Sequence, residues 1–218
     1  ANLLKLLKVS SGGNITRIFN DLEASKLIYS IRSFASRPNS KLIRYEIADP
    51  YVRMYYKYIA PKLPLIDSGV FNKTPTKGLL LSEYYQSLGY AFEHYCRANP
   101  QLIAEAIGFS DVQYKVGSWL DRGEKSSSSK NSKGGGLQID LVFQRADRVL
   151  TLCELKYTKN KVDLSEAKEF SSRVSALKID PKYTVQTALI APNGATDRVL
   201  TAGIFDRVIG LNELIGSS

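Results

Sequence analysis

The sequence has few of the residues that most zinc sites and nucleophilic triads require. His94 is the only histidine, and Cys96 and Cys153 are the only cysteines among 218 residues. Zinc sites built from cysteine and histidine therefore lack ligands, and a Ser-His-Asp or Cys-His triad would depend on His94. Both cysteines lie inside apolar stretches, which favours two buried thiols over a disulfide. If the protein is an enzyme, its chemistry is expected to rest on carboxylates, lysines and a hard metal ion.

Long apolar runs are also missing. No segment approaches the roughly 18 apolar residues that a membrane-spanning helix needs, and the first residues do not form a signal-peptide pattern. We therefore expect a soluble, cytoplasmic protein with no membrane partner.

Positive charge is abundant and unevenly distributed. The formal net charge is +9, and residues 1–60 contribute +6 of it, with 10 Lys or Arg against 4 Asp or Glu. A basic excess concentrated in a small module favours a polyanionic partner such as nucleic acid. A solvated basic face, or a docking surface for an acidic protein, would have the same composition.

The first 60 residues show the order of elements typical of a winged helix. Residues 2–8 look like the end of an amphipathic helix, and apolar residues from Ile15 to Leu22 have helical spacing. Two strands are predicted at 27–34 and 41–47, followed by a helix that Asp49 caps with Pro50 at its first position. A winged helix normally has another helix before this pair, so we expect the chain to be a fragment with its missing part on the N-terminal side.

The remaining residues are predicted to form a linker and a second, larger domain. Residues 61–78 contain three prolines and no clear periodicity, which indicates a linker. Residues 79–218 predict a helix, three strands, a helix and two strands, that is, an α/β domain with a mixed sheet flanked by helices. The polar, glycine-rich segment 121–136 is expected to be a mobile loop.

Three charged residues are placed together by a predicted antiparallel hairpin. Its strands are 137–144 and 149–156, and a period of two puts Ile139, Leu141 and Phe143 on one face, with Asp140 on the other. Glu154 and Lys156 share a face because they are two residues apart. Two carboxylates can hold Mg²⁺ or Mn²⁺, and a lysine can assist a water nucleophile or stabilise charge on a phosphate.

Asp140 followed by Glu154-Leu155-Lys156 resembles the PD-(D/E)XK nuclease superfamily, which includes restriction endonucleases. Ile139 stands where the nominal motif has proline. The resemblance implies a restriction-endonuclease-like core, with catalytic roles for Asp140, Glu154 and Lys156 and metal binding by the two acids. It also implies that an acid on the first core helix takes part, and Glu93 lies on the matching predicted helix.

A narrower resemblance covers nearly the whole chain. Segments 11–17, 44–51, 138–143 and 153–158 are similar to the C-terminal region of archaeal and bacterial AAA-type ATPases, which joins a winged helix to a nuclease-like domain. The sequence has no Gly-x-x-x-x-Gly-Lys-Ser/Thr phosphate loop. The resemblance therefore implies that ATP is bound by an ATPase module absent from this chain.

Several alternatives remain open at this stage. Asp140, Glu154 and Lys156 could form an ion-pair network on a sheet face, and the nuclease fold could be an inactive module that binds DNA, a protein partner or a second copy of the chain. The winged helix could likewise be a protein docking unit. If it binds DNA, segment 14–23 is its recognition helix. The candidate DNA contacts are Asn14, Thr16, Arg17, Arg32, Lys41 and Arg44.

Overall fold

The computed structural model describes residues 2–10, 12–34, 43–121 and 137–216. The chain divides into two compact units, one of residues 1–31 and 43–79 and the other of residues 32–42 and 80–218. No helix in the described ranges is long and apolar enough to cross a membrane.

The first unit contains the elements predicted for residues 1–60. They are α1 (Asn2–Leu6), α2 (Gly13–Ala24), β1 (Ile28–Arg32), β2 (Ile43–Ile47) and α3 (Pro50–Met54), and β1 pairs with β2. The ring of Phe19 in α2 stacks on Tyr45 in β2, with 4.5 Å between centroids. The predicted cap of α3 is confirmed, because the Asp49 carboxylate accepts hydrogen bonds from the amides of Tyr51 and Val52.

Residues 61–78, expected to be an irregular linker, are largely helical and group with the first unit. A π-helical turn at Tyr55–Ile59 leads into a 3₁₀ segment at Ala60–Lys62, then α4 (Leu63–Asp67) and a 3₁₀ segment at Pro75–Gly78. Prolines stand in the first turn of the last three segments. A proline there removes no helical hydrogen bond, because the amides of the first turn have no partner within the helix.

The second unit is a mixed five-stranded sheet flanked by helices, as the sequence predicts for an α/β domain. Its helices are α5 (Leu81–Ala98), α6 (Pro100–Ile107), α7 (Leu164–Ser175), α8 (Asp197–Ala202) and α9 (Leu211–Leu214). Its strands are β3 (Tyr114–Asp121), β4 (Leu137–Arg145), β5 (Val149–Leu155), β6 (Thr184–Ile190) and β7 (Arg207–Ile209), in the spatial order β3-β4-β5-β6-β7. The first three strands are antiparallel, and β5, β6 and β7 are parallel.

Several predicted elements of this unit are confirmed and others need correction. The predicted β4–β5 hairpin is present, and the parallel β5–β6 pair makes the sheet mixed, as predicted. Asp163 caps α7. The sequence did not predict α6, α8 or α9, and the last of the predicted strands corresponds to the short β7. Most of the predicted mobile loop, at 122–136, lies outside the described residues.

Apolar residues cover both faces of the sheet. On one face, Leu141, Phe143 and Cys153 pack with residues of α5, α6 and α9. On the other face, Leu152 and Leu189 pack beneath α7 and α8. We call these the α5–α6 face and the α7 face. The sheet is therefore the middle of three layers.

Both cysteines are buried free thiols, as predicted. Burial raises the pKa of Cys96 to about 12. Burial also raises the pKa of Cys153, and the nearby Cys96 and Asp140 add to that shift. Both thiols therefore stay protonated at neutral pH.

Candidate functional site

The β4–β5 hairpin brings Asp140 and Glu154 to adjacent positions. Leu141 is paired with Cys153 across the two strands. Continuing this antiparallel register by one residue places Asp140 opposite Glu154. The charge of Asp140 raises the pKa of Glu154.

A β-bulge in β4 occurs at Asp140. Opposite β3, Gly117 pairs with Val142 and Trp119 pairs with Ile139, so Ser118 faces the two residues Asp140 and Leu141. The extra residue interrupts the alternation of side chains. Ile139 consequently packs on the α7 face with Val142, so the prediction that it shares a face with Leu141 and Phe143 is wrong.

Glu154 is a buried carboxylate with only one oxygen bonded. The residue is 6 % exposed, and its Oε1 accepts a hydrogen bond from Arg173 of α7 at 2.7 Å. Its Oε2 is buried and has no hydrogen-bond partner within the described part of the chain. Burial raises the pKa of Glu154 and Asp140 raises it further, whereas Arg173 and Lys156 lower it. An additional cation beside Oε2 would stabilise the ionised form.

Lys156 directly follows β5 and lies at the same end of the sheet as Glu154. Its amide donates to the Ile190 carbonyl at 3.0 Å. Its Nζ lies 3.5 Å from a carboxylate oxygen of Glu166 in α7. Since Glu154 and Lys156 both form ion pairs with α7, the prediction that they share a face is confirmed.

Glu93 lies on α5 and is linked to Asp140 through an arginine. Its carboxylate forms an ion pair with Arg97 at 2.8 Å. The Nε of Arg97 also donates to the main-chain carbonyl of Asp140 at 3.3 Å, while the Asp140 carboxylate accepts from the Gln138 side chain at 3.1 Å. The structure therefore brings together Asp140, Glu154 and Lys156, and it connects Glu93 to β4 by way of Arg97.

Sequence reasoning missed the residues that hold these charges in place. The site combines four acids with three bases: Glu93, Asp140, Glu154 and Glu166 with Arg97, Lys156 and Arg173. Arg97 lies one turn after Glu93, a spacing that predicts the pair. Nothing local marks Arg173 as a partner of Glu154, because their contact depends on how α7 packs on the sheet.

The oxygen atoms of the site suit a hard divalent cation, but few side chains supply them. Carboxylate and carbonyl oxygens are the ligands that Mg²⁺ and Mn²⁺ prefer. Groups of three or more His, Cys, Asp or Glu side chains placed to hold a metal do not occur among the described residues. A cation here would thus have two protein carboxylates, from Asp140 and Glu154, and would take its other ligands from carbonyl groups, water or a substrate.

In the first unit, the candidate DNA contacts are only partly described. Asn14, Thr16 and Arg17 are exposed on α2, and the Thr16 hydroxyl donates back to the Gly12 carbonyl at 3.3 Å. Arg44 is exposed on β2 and forms an ion pair with the buried Glu46. The side chain of Arg32 and the whole of Lys41 lie outside the described residues.

Comparison with known proteins shows similarity over part of the chain. No family model matches the chain. An uncharacterized protein of Methanocaldococcus jannaschii, MJECL04, is 32% identical over 89 residues, which is 39% of this chain. The match spans only 19% of the length of that protein, and its name assigns no activity.

Proposed function

We propose that the second unit is a metal-dependent nuclease that hydrolyses DNA phosphodiesters. The observation that carries the proposal is the buried, unpartnered Oε2 of Glu154 next to Asp140. A buried carboxylate oxygen without a partner is costly, and a divalent cation is a partner of suitable size and charge. Lys156, two residues further along, supplies the positive charge that phosphodiester cleavage requires.

The proposed roles follow from the contacts of each residue. Asp140 and Glu154 would hold Mg²⁺ or Mn²⁺, which when bound lowers the pKa of water and offsets charge on a phosphate. Arg173 fixes one oxygen of Glu154, so the other oxygen keeps its direction. Lys156 would orient the attacking water or stabilise the charge that develops on the phosphate. Glu93 acts through Arg97, which binds the main chain at Asp140.

We further propose that the first unit is a winged helix that binds DNA and that the chain is the C-terminal part of an AAA-type ATPase. The support is the basic excess of residues 1–60, the exposed polar side chains of α2, and the motif resemblance described above. The ATPase module, which binds ATP, would lie in the same longer protein outside this chain.

A second candidate is an inactive nuclease fold that binds DNA or a protein partner. It is favoured by the fact that Glu93, Glu154 and Lys156 all form ion pairs within the chain. Such a network can position the hairpin against α5 and α7 without any metal. The two candidates differ in whether the site binds a divalent cation and cleaves DNA.

Cleavage of a DNA panel in the presence of Mg²⁺ or Mn²⁺ tests the first candidate. The panel contains plain, nicked and branched substrates, and the variants are Asp140→Asn, Glu154→Gln and Lys156→Ala. Glu105→Gln on α6 and Lys168→Ala on α7 are matched controls, because both side chains are exposed and outside the site.

We expect wild type and controls to cleave in a metal-dependent manner, and the three site variants to lose at least a hundredfold in rate. Equal cleavage by wild type and the site variants would assign the activity to a contaminant. No cleavage, together with DNA binding that survives all three substitutions, would support the inactive module instead.

A further inference from the structure

A basic groove lies at the opposite end of the sheet from Asp140 and Glu154. It has a volume of about 420 Å³ and is formed by the start of β3, the β4–β5 turn and the residues just before β6. Its basic side chains are Lys115, Arg145, Arg148 and Lys182. Arg145 is five residues beyond Asp140 along β4, which is about 16 Å at roughly 3.3 Å per residue. The groove is therefore separate from the carboxylate site.

Two of the four cations already have acidic partners. Arg145 binds the Asp147 carboxylate, donates to Gln186 at 3.1 Å and lies over the ring of Phe109 at 4.5 Å. Lys182 pairs with Asp180 at 2.7 Å. These contacts fix the walls of the groove and neutralise the acids beside it.

The other two cations, Lys115 and Arg148, are exposed, and their side chains make no ion pair or hydrogen bond within the described part of the chain. Arg148 is also near Lys182. The hydrogen bond with Asp180 raises the pKa of Lys182, and the charge of Arg148 lowers it. Like charges thus converge on one groove, with two of them left without an acidic partner.

The backbone of Arg148 is held in an uncommon conformation. Its φ is 65°, in the left-handed region where glycine and asparagine are favoured. Its amide donates to Arg145 and its carbonyl accepts from Thr184, so this conformation is held from both sides. Glycine would suit this turn position better, and non-glycine residues in such conformations are concentrated at ligand sites.

Polar and aromatic groups complete the groove. The hydroxyl of Tyr183 accepts a hydrogen bond from the Gln144 amide at 2.5 Å, and Lys182 lies over the Tyr183 ring at 5.3 Å. Guanidinium and ammonium groups beside an amide and a phenol are typical of sites that recognise phosphate oxygens. We propose that this groove binds a phosphate group through Arg148 and Lys115. The phosphate belongs either to a nucleic-acid backbone or to a free phosphorylated ligand.

The test measures anion binding by the full chain in EDTA-containing buffer, so that no metal-dependent cleavage enters the result. Two probes are used. Binding of pyrophosphate is measured by calorimetry, and binding of a fluorescent 20-nucleotide DNA is measured by anisotropy over a range of salt concentrations. The variants are Arg148→Gly and Lys115→Gln. Arg198→Gln is the matched control, since it removes one exposed charge on α8, outside the groove.

We expect Arg148→Gly and Lys115→Gln each to weaken binding of at least one probe by fivefold or more, and the control to stay within twofold. For DNA, each loss should also reduce the slope of log affinity against log salt by about one. Arg148→Gly should melt at the same temperature as wild type or higher, because glycine relieves the turn. If only the affinity for DNA falls, the ligand of the groove is a nucleic-acid backbone. If the affinity for pyrophosphate falls, the ligand is a free phosphorylated molecule.

Unchanged affinity for both probes in both variants would overturn the proposal. A failure of DNA cleavage by the carboxylate site would leave it intact, because the measurement contains no divalent metal.

Discussion

Replacing Arg173 by methionine removes the only hydrogen-bond donor to the Glu154 carboxylate found among the described residues. Glu154 is 6 % exposed, so in the variant its charge stays buried with neither oxygen bonded. The variant also loses the hydrogen bond from Arg173 to the Gln138 carbonyl at 2.9 Å. Breaking a buried ion pair from one side costs about 3–5 kcal/mol. Because the Arg173 side chain is 30% exposed and water can enter, we expect a smaller loss, about 2–3 kcal/mol at pH 8.

The size of this loss should depend on pH. Burial holds the pKa of Glu154 above its ordinary value of 4.5, and removing Arg173 raises it further. The native state therefore binds a proton more tightly than the unfolded state, so stability increases as the pH falls from neutral toward 4.5. The increase is larger in the variant, because its carboxyl group protonates at a higher pH. The difference from wild type should shrink on acidification.

Urea unfolding at a series of pH values, followed by circular dichroism, measures the effect. Thermal unfolding at pH 8, monitored by the same signal, should give a melting temperature about 6–10 °C below wild type for a unit of this size. Adding Glu154→Gln to the variant should recover most of the loss, since the amide carries no buried charge, and Arg198→Met is the matched control. A cost below about 0.5 kcal/mol, or one that does not change with pH, would refute the buried-charge reasoning.

Other predictions concern stability away from the candidate site. Phe143→Ala empties a fully buried position against the rings of Phe109 and Tyr114 and should cost about 3–5 kcal/mol in urea unfolding. Tyr29→Phe deletes the 2.6 Å hydrogen bond to the buried Glu46 and should cost about 1–2 kcal/mol, measured the same way. Asp163→Ala should destabilise the protein at neutral pH but not at strongly acidic pH. Hydrogen bonds from Ser165 and Glu166 hold the pKa of Asp163 below 3.8. The stabilisation by the Asp163 carboxylate is therefore lost as the pH falls through that lowered pKa. If any of these variants is as stable as wild type at neutral pH, the contact that it removes does not contribute as described.

The β4–β5 hairpin could be predicted because it is determined by residues that are close together in the sequence. Alternating apolar residues define β4, a nearly continuous apolar run defines β5, and the register follows once the turn at 145–148 is recognised. The bulge at Asp140 could not be predicted, because Ile139 and Leu141 are equally apolar and the irregularity exists only relative to β3. Period-two reasoning therefore assigned Ile139 to the wrong face.

Proline explains two of the other differences. Pro100 comes two residues after the end of α5 and occupies the first turn of α6, a helix that the sequence did not predict. The prolines of residues 61–78 begin short helices in the same way. A proline stops a helix on its N-terminal side and is compatible with a new one on its C-terminal side, so proline content alone does not distinguish a linker from a series of short helices.

The partners of the candidate site residues were only partly predictable. Arg97 and Glu93 are four residues apart on one helix, a spacing visible in the sequence. Arg173 and Glu154 are 19 residues apart on different elements, and their contact requires the packing of α7 on the sheet. Local patterns thus indicate which charges lie on the hairpin, and tertiary packing decides how each one is neutralised.

The central claim is that Asp140 and Glu154 hold a divalent cation, and calorimetric titration with Mn²⁺ tests it most directly. The account predicts binding at a single site in wild type and in the Glu105→Gln control. It also predicts loss of that binding in Asp140→Asn and in Glu154→Gln, with both variants still folded by circular dichroism. Absence of binding in wild type, or equal binding in all four proteins, would contradict it.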